Sequence, residues 1–228
     1  MEMLSWGDAG MYLITPGGGL GAAAVQAAGT PEQREKFLAR FTEDKPTVGA
    51  MCMTESGAGS DTSAIRSRAI LDEKTNEWVI NGEKWFTSAG RYADILFVMT
   101  TSGMFVVPTN TPGVEFVADG PRVHSHIRYN EVRVPLDHLL GPPDGAKVLA
   151  QRRLGGGRIH HAMRSIAQCK LAFDMMCERA LSRQSHGQII AEHQMVQQAI
   201  ADSYAEINML RLLVLWTAWT IANSPTQA

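Results

Sequence analysis

Apolar residues along this chain change their spacing twice. Up to about residue 41 they recur at helical intervals, interrupted by "TPGGGLGAA", where Pro16 and three consecutive glycines predict that one helix ends or bends before another begins. Thr30, Pro31 and Gln33 ahead of "REKFLARF" predict a helix start closed by a capping box. "EDKPT" ends it. From Thr47 to about Pro135 the chain turns to short β-rich runs, "TVGAMCMT", "IRSRAIL", "WVI", "KWFTSA", "ILFVMT", "MFVVP", "VEFVA" and "NEVRVP", separated by turn residues. These predict an antiparallel β-domain of barrel or sandwich type. Asn81-Gly82 predicts a type I′ hairpin between "WVI" and "EKWFTS", and Thr111-Pro112-Gly113 predicts a further turn. After "LLGPPDGA" helical spacing returns to about Asn223, with a polar break at "SRQSHGQ", so two long helices are expected on either side of it. The fold class is α+β: helical residues 1–45, a β-domain over 46–141 and helical residues 142–228.

The balance of charge narrows the function classes. Lys and Arg number 21 against 23 Asp and Glu, for a net charge of −2 over 228 residues, and no basic face stands out. That removes the electrostatic footprint of a nucleic-acid binder. Cys52, Cys169 and Cys177 are odd in number and lack CxxC spacing, so neither a disulfide framework nor a zinc site is indicated, and a reducing cytoplasm or mitochondrial matrix is expected. The first residues lack the basic and apolar regions of a signal peptide. The longest apolar run, Met209 to Ala222, contains Arg211 and falls short of the roughly 20 residues that span a bilayer, which predicts a buried helix and no membrane span.

Two stretches carry candidate chemistry. "MCMTESGAGSD", residues 51–61, reads as a strand ending in a loop of small residues. At Gly57, Ala58 and Gly59, backbone N–H groups can approach phosphate oxygens with little side-chain interference. Met51 and Met53 share a strand face and offer polarizable apolar cover. A Gly-rich turn with two methionines in a core is an equally good reading of this stretch alone. In "NGEKWFTSAG", strict alternation puts Phe86 and Ser88 on one face and Trp85 and Thr87 on the other. A one-residue shift of register exchanges the pairs, so all four are candidates.

The order helical, β, helical, taken with these motifs, resembles the acyl-CoA dehydrogenase family, flavoproteins in which a β-domain sits between two helical domains. The resemblance covers nearly the whole chain. "MTESGAGSD" is similar to the family's T-E-P-x-A-G-S-D, with Ser56 where Pro is usual. It implies FAD as cofactor, an acyl-CoA thioester as substrate, electron-transfer flavoprotein as electron acceptor, and a homodimer or tetramer. It further implies that Met51, Met53, Thr54, Gly59 and Ser60 contact FAD, Thr54 at the ring edge and Ser60 at the pyrophosphate and the acyl-CoA. "NGEKWFTSAG" looks like the family's flavin-lining strand, with Phe86 and Ser88 where many relatives carry Trp and Thr, and Trp85 and Thr87 as the other pair. Arg158 matches a helix arginine near the acyl pocket; a solvated helix arginine among Arg152, Arg153 and Arg164 reads as well. "SRQSHGQIIAEHQ" resembles R-x-T/S-F-G…HQ, through which one subunit reaches its neighbour's FAD, so Arg183, Ser185 and Gln194 become cofactor candidates. His186 stands where Phe is usual.

The reaction implied by the resemblance removes an α-proton from the thioester while a hydride leaves the β-carbon for flavin N5, giving a 2,3-enoyl-CoA, and it needs a carboxylate base. In relatives the Glu lies in a C-terminal segment that would follow Ala228, or immediately before the arginine equivalent to Arg158, where Gly157 stands here. No Asp or Glu occurs from Gly145 to Phe173. His160 and His161 are weak substitutes, since adjacent helix residues point in different directions. A fragment truncated at both ends, or a shortened paralogue, is the expectation. Two functions are carried forward: an acyl-CoA dehydrogenase whose catalytic carboxylate is expected to be missing from this chain, and a non-catalytic flavin-fold subunit or truncated paralogue that acts as a scaffold.

Overall fold

The computed structural model describes residues 2–10, 19–45, 47–119, 124–143 and 145–224; for 20, 119 and 146–156 it describes the backbone. Pro16, Gly17 and Gly18 of the expected helix break lie outside the described residues. The chain divides into two compact units. One is Ile14–Gly155; the other joins Met1–Leu13 to Gly156–Ala228.

The first unit is a sandwich built on a central sheet. Strands β1 (Gly49–Cys52), β4 (Ile95–Met99), β5 (Met104–Pro108) and β8 (Leu139–Leu140) form it in the order β1-β4-β5-β8. The second sheet runs β2 (Arg68–Asp72), β3 (Glu77–Ser88), β7 (His124–Pro135) and β6 (Val114–Asp119), in the order β2-β3-β7-β6. Every pairing in the second sheet is antiparallel. The expected antiparallel rule fails once: β1 pairs parallel to β4, with Gly49 opposite Ile95 and Cys52 opposite Val98. Between those strands the chain makes β2 and β3 in the other sheet, the long crossover that a parallel pair requires.

Both faces of the central sheet are covered. Ala50, Cys52, Leu96, Val98, Phe105 and Val107 meet Ala69, Ile80, Ile127, Tyr129, Val132 and Val134 of the second sheet. Ile95, Phe97, Met99, Met104 and Val106 meet Ala24, Val25 and Phe37 from helices α2 (Gly19–Ala28) and α3 (Pro31–Leu38). Burial on both sides explains why "ILFVM" is continuously apolar and not alternating. The capping box on α3 is present as predicted, with Gln33 N donating to Thr30 Oγ1 at 3.2 Å and Thr30 N to Gln33 Oε1 at 2.9 Å. The Gln33 amide also donates to Asp137 O and Leu139 O, each at 2.8 Å, fastening the helix to the start of β8.

The predicted hairpin at Asn81-Gly82 does not form there. β3 continues through it, and the turn lies upstream at residues 73–76, where Asn76 takes φ +55°. Asn81 instead pairs with Glu131: its Nδ2 donates to Oε1 at 2.7 Å and its Oδ1 accepts from Glu131 N at 3.0 Å. Gly82 is needed for another reason. It holds φ +146°, and a Cβ there would lie 2.3 Å from Ser67 Oγ. The turn at Thr111-Pro112-Gly113 is present, with Gly113 at φ +89°.

Two helices, α4 (Ala146–Ser182), which belongs to the second unit from Gly156 onward, and α5 (Gln194–Ala222), flank the polar break, which is a small hairpin of β9 (Gln184–Ser185) and β10 (Gln188–Ile189). His186 at φ +52° and Gly187 at φ +80° make its turn. The short helix α1 (Glu2–Gly7) is tied in through Glu2, whose carboxylate accepts from Lys170 Nζ at 2.9 Å and Arg211 Nε at 2.8 Å. The run Met209–Ala222 is helical but not buried as expected: Leu212, Trp216 and Trp219 are each more than 60 % exposed. No helix among the described residues is long and apolar enough to cross a membrane.

Candidate functional site

The two motifs singled out in the sequence meet. β1 delivers Met51 to the central sheet's helix-covered face, where Met51 and Met53 are half-buried against the core. The chain then leaves the sheet at Thr54, whose carbonyl accepts from Trp85 N at 2.8 Å. Glu55 and Ala58 exchange backbone hydrogen bonds of 3.0 and 3.1 Å, closing a tight turn over Ser56 and Gly57. Gly59 and Ser60 follow it and are exposed. A Cβ at Gly57 or Gly59 would meet nothing within 4 Å, so the backbone there faces open space.

Two residues that the sequence reading passed over hold this loop in place. Lys84 on β3 is completely buried, and its Nζ donates to Glu55 Oε1 at 2.7 Å and to Met53 O at 3.1 Å. The other Glu55 oxygen accepts from Arg66 N at 2.7 Å, while Oε1 also takes Ser67 N and Ser67 Oγ. Burial alone would raise the Glu55 carboxyl, but the bonds from Lys84, Ser67 and the Arg66 and Ser67 amides outweigh it and hold the carboxyl at about 2. Burial pushes the Lys84 amine down, and the Glu55 carboxylate opposes that fall. With four donors converging on one carboxylate, Glu55 stays ionised at neutral pH. Both residues were visible as the Glu after Thr54 and as a Lys two places after Gly82; nothing in their own spacing marked them as partners.

Next to Lys84, β3 departs from alternation. Lys84 faces Ile127 and Thr87 faces Ser125, so Trp85 and Phe86 together oppose the single residue His126, and Phe86 takes φ +54°. This bulge turns both aromatic rings outward, Trp85 36 % and Phe86 60 % exposed, with ring centroids 6.2 Å apart. The expected pairing of Trp85 with Thr87 is therefore corrected. Thr87 is buried, beside Cys52 and Tyr129, while Ser88 returns to the exposed face and shares a 3.0 Å hydrogen bond with His124 Nδ1. Burial pushes the Cys52 thiol up to about 11 and the Tyr129 hydroxyl well above its ordinary value. His126 supports the bulge from across the strand pair, its ring 4.9 Å from that of Trp85 and its Nε2 2.8 Å from Glu83 Oε2.

The remaining candidates stand on the helical unit. Arg158 is exposed on α4, beside the buried Gly157. Arg183 is exposed between α4 and β9, and its carbonyl accepts from Ile190 N at 2.8 Å. Ser185 is half-buried in β9, and Gln194 is exposed as the first residue of α5. His160 and His161 are exposed, and His161 Nδ1 lies 2.6 Å from Arg164 Nη2.

Known proteins share this arrangement. Residues 50–128 match the acyl-CoA dehydrogenase middle domain, and residues 144–227 match the acyl-CoA dehydrogenase C-terminal domain. The chain is 38% identical over 213 residues to the Mycobacterium tuberculosis protein named probable acyl-CoA dehydrogenase FadE2, an alignment covering 85% of this chain and 52% of that one. Butyryl-CoA dehydrogenase from Megasphaera elsdenii superimposes with a TM-score of 0.86 and 27% identity over 96% of this chain and 61% of its own. An acyl-CoA dehydrogenase from Bacillus anthracis, solved in complex with FAD, shares the fold at a TM-score of 0.77 and 24% identity, over 85% of this chain and 35% of its own. The chain thus spans about half the length of the first of these relatives. Two family domains matched in sequence order, on a β-sandwich and a helical pair of the corresponding fold, make this chain a member of the acyl-CoA dehydrogenase family.

Proposed function

We propose that this chain forms the flavin-binding part of an FAD-dependent acyl-CoA dehydrogenase. The observation that carries the reading is the Trp85 N to Thr54 O bond, which joins the open Gly-rich loop to an exposed aromatic pair. The residues fit FAD. Gly57 and Gly59 leave uncluttered backbone where phosphate oxygens would lie, Ser60 adds a hydroxyl, and Trp85 and Phe86 offer apolar surface to a ring. Met51, Met53, Thr54, Gly59, Ser60, Trp85, Phe86 and Ser88 would hold the cofactor on the β-rich unit. Thr87, as a buried residue, would support them from behind. Arg183, Ser185 and Gln194 would serve the FAD of a neighbouring subunit, and Ser60 and Arg158 are each candidates for contact with the thioester. When bound, FAD supplies the hydride acceptor at N5.

The chain's own task is to orient the acyl-CoA, and the reaction further needs a base at the α-carbon. Neither α4 nor the turn before it offers a carboxylate from Gly145 to Phe173, and Gly157 is buried. The base therefore comes from outside residues 145–173. The homodimer or tetramer, electron-transfer flavoprotein as acceptor, and the cytoplasm or mitochondrial matrix as location belong to this proposal. A scaffold subunit that binds flavin without turnover is the second reading, favoured by the same missing carboxylate.

Titration of the folded chain with FAD, followed by quenching of flavin fluorescence, tests the proposal. Saturable uptake that is lost in Gly59→Val is expected; a folded chain that takes up no FAD overturns it. Anaerobic mixing of the loaded protein with saturated acyl-CoAs then separates the two readings, because bleaching of the flavin band favours the enzyme and substrate binding without bleaching favours the scaffold.

A further inference from the structure

β7 carries a second feature that the motifs did not point to. His124 and His126 lie two residues apart and face the exposed edge of β3, one opposite Ser88 and the other opposite the Trp85-Phe86 bulge. Their roles differ. His126 is engaged with Glu83 and Trp85, which are part of the platform itself. Among the described residues, His124 hydrogen-bonds Ser88, the last residue of β3, at a pair where the strands are in plain register.

We infer that His124 is a positioning residue for the cofactor, acting through the Ser88 hydroxyl; this rests on the proposed FAD site. A serine hydroxyl rotates freely unless a neighbour fixes it, and it has one proton to give. If the imidazole accepts that proton, the hydroxyl presents only lone pairs to a ligand. If the imidazole donates, the hydroxyl's own proton is left for the ligand. Either way, His124 determines which kind of ring atom Ser88 can serve, and it holds the hydroxyl oxygen at one place. The side chain opposite Ser88 is thereby a selector of the flavin edge and not a passive cross-strand neighbour.

The test is FAD titration of the whole chain with His124→Phe, His124→Asn, Ser88→Ala and the double variant Ser88→Ala/His124→Phe, reading both affinity and the fine structure of the bound flavin's visible band. His124→Phe should weaken FAD by about threefold to tenfold, the worth of one hydrogen bond, and change the band. His124→Asn keeps a polar atom at the Nδ1 position and should restore both. In the double variant the loss should equal that of Ser88→Ala alone, because the two residues act as one unit. Additive losses, or a His124→Phe protein with unchanged affinity and band while Ser88→Ala is impaired, would overturn the inference and leave the FAD site standing. Failure of the unsubstituted chain to bind FAD would overturn both.

Discussion

The β-rich unit and the helical unit treat their apolar residues in opposite ways. In the first, both faces of the central sheet are covered, and the outer face of the second sheet carries ion pairs of Arg133 with Asp72 and Glu77 and of Arg128 with Glu83 and Glu115. In the second, Val214 is the buried residue of α5, while Leu212, Trp216 and Trp219 are 65%, 64% and 63% exposed. A contiguous apolar helix face of that kind marks an interaction surface. The difference teaches that the first unit finds its stability within itself, and that the second is finished only by something laid against it.

The sharpest way to break the comparison is to remove one partner of the buried pair beneath the loop. Lys84→Ala or Glu55→Ala leaves a desolvated charge and should destabilise the β-rich unit by about 3–5 kcal/mol, measured by denaturant unfolding followed through its tryptophans. Acid should expose the same dependence. Because the Glu55 carboxyl is held at about 2 in the fold, against 4.5 when unfolded, its contribution is complete above pH 4.5 and is lost as pH falls toward 2. Melting temperatures across that window should drop by an amount corresponding to roughly 3 kcal/mol, and the drop should shrink in a Glu55→Gln/Lys84→Met protein. On the other unit, Trp216→Ser should raise the self-association constant for dissociation about thirtyfold, as expected for loss of roughly 2 kcal/mol from a central tryptophan, with unfolding of the β-rich unit unchanged. Analytical ultracentrifugation reads this, and an unaltered oligomer would show that α5 is covered by something else. The smallest effect is local: Thr30→Ala removes a capping hydrogen bond and should cost about 1 kcal/mol in the melting of the β-rich unit.

The order of elements, the capping box and the Gly-rich loop were legible because each depends on neighbours within a few residues. What stayed hidden depends on partners far along the chain. Asn81-Gly82 has the composition of a hairpin, yet Glu131, fifty residues away, supplies the hydrogen bonds that keep it inside a strand. Alternation placed Phe86 and Ser88 together and gave no warning of the extra residue that frees Trp85 from Thr87. Lys84 drew no reading from the sequence, because its partners, Glu55 and Met53 O, lie about thirty residues away along the chain. The parallel pairing of β1 with β4 likewise cannot be read from either strand, since it is a property of the route between them.

The bulge at Trp85-Phe86 has a counterpart. Between Ile80 and Gly82 on β3, the partner strand advances from Val132 to Tyr129, so there the additional residue belongs to β7, at Asn130-Glu131. The two irregularities are equal and opposite: one throws the strands out of step by a single position and the other brings them back before Ser88 meets His124. A strand pair built this way works like a frameshift and its suppressor. Deleting either additional residue alone would misalign everything beyond it, whereas deleting both would give a regular ladder with a single aromatic ring left on the outer face between the inward Lys84 and Thr87. The aromatic platform is thus inherited together with a turn of backbone that never touches it, and a lineage could lose one only by losing the other.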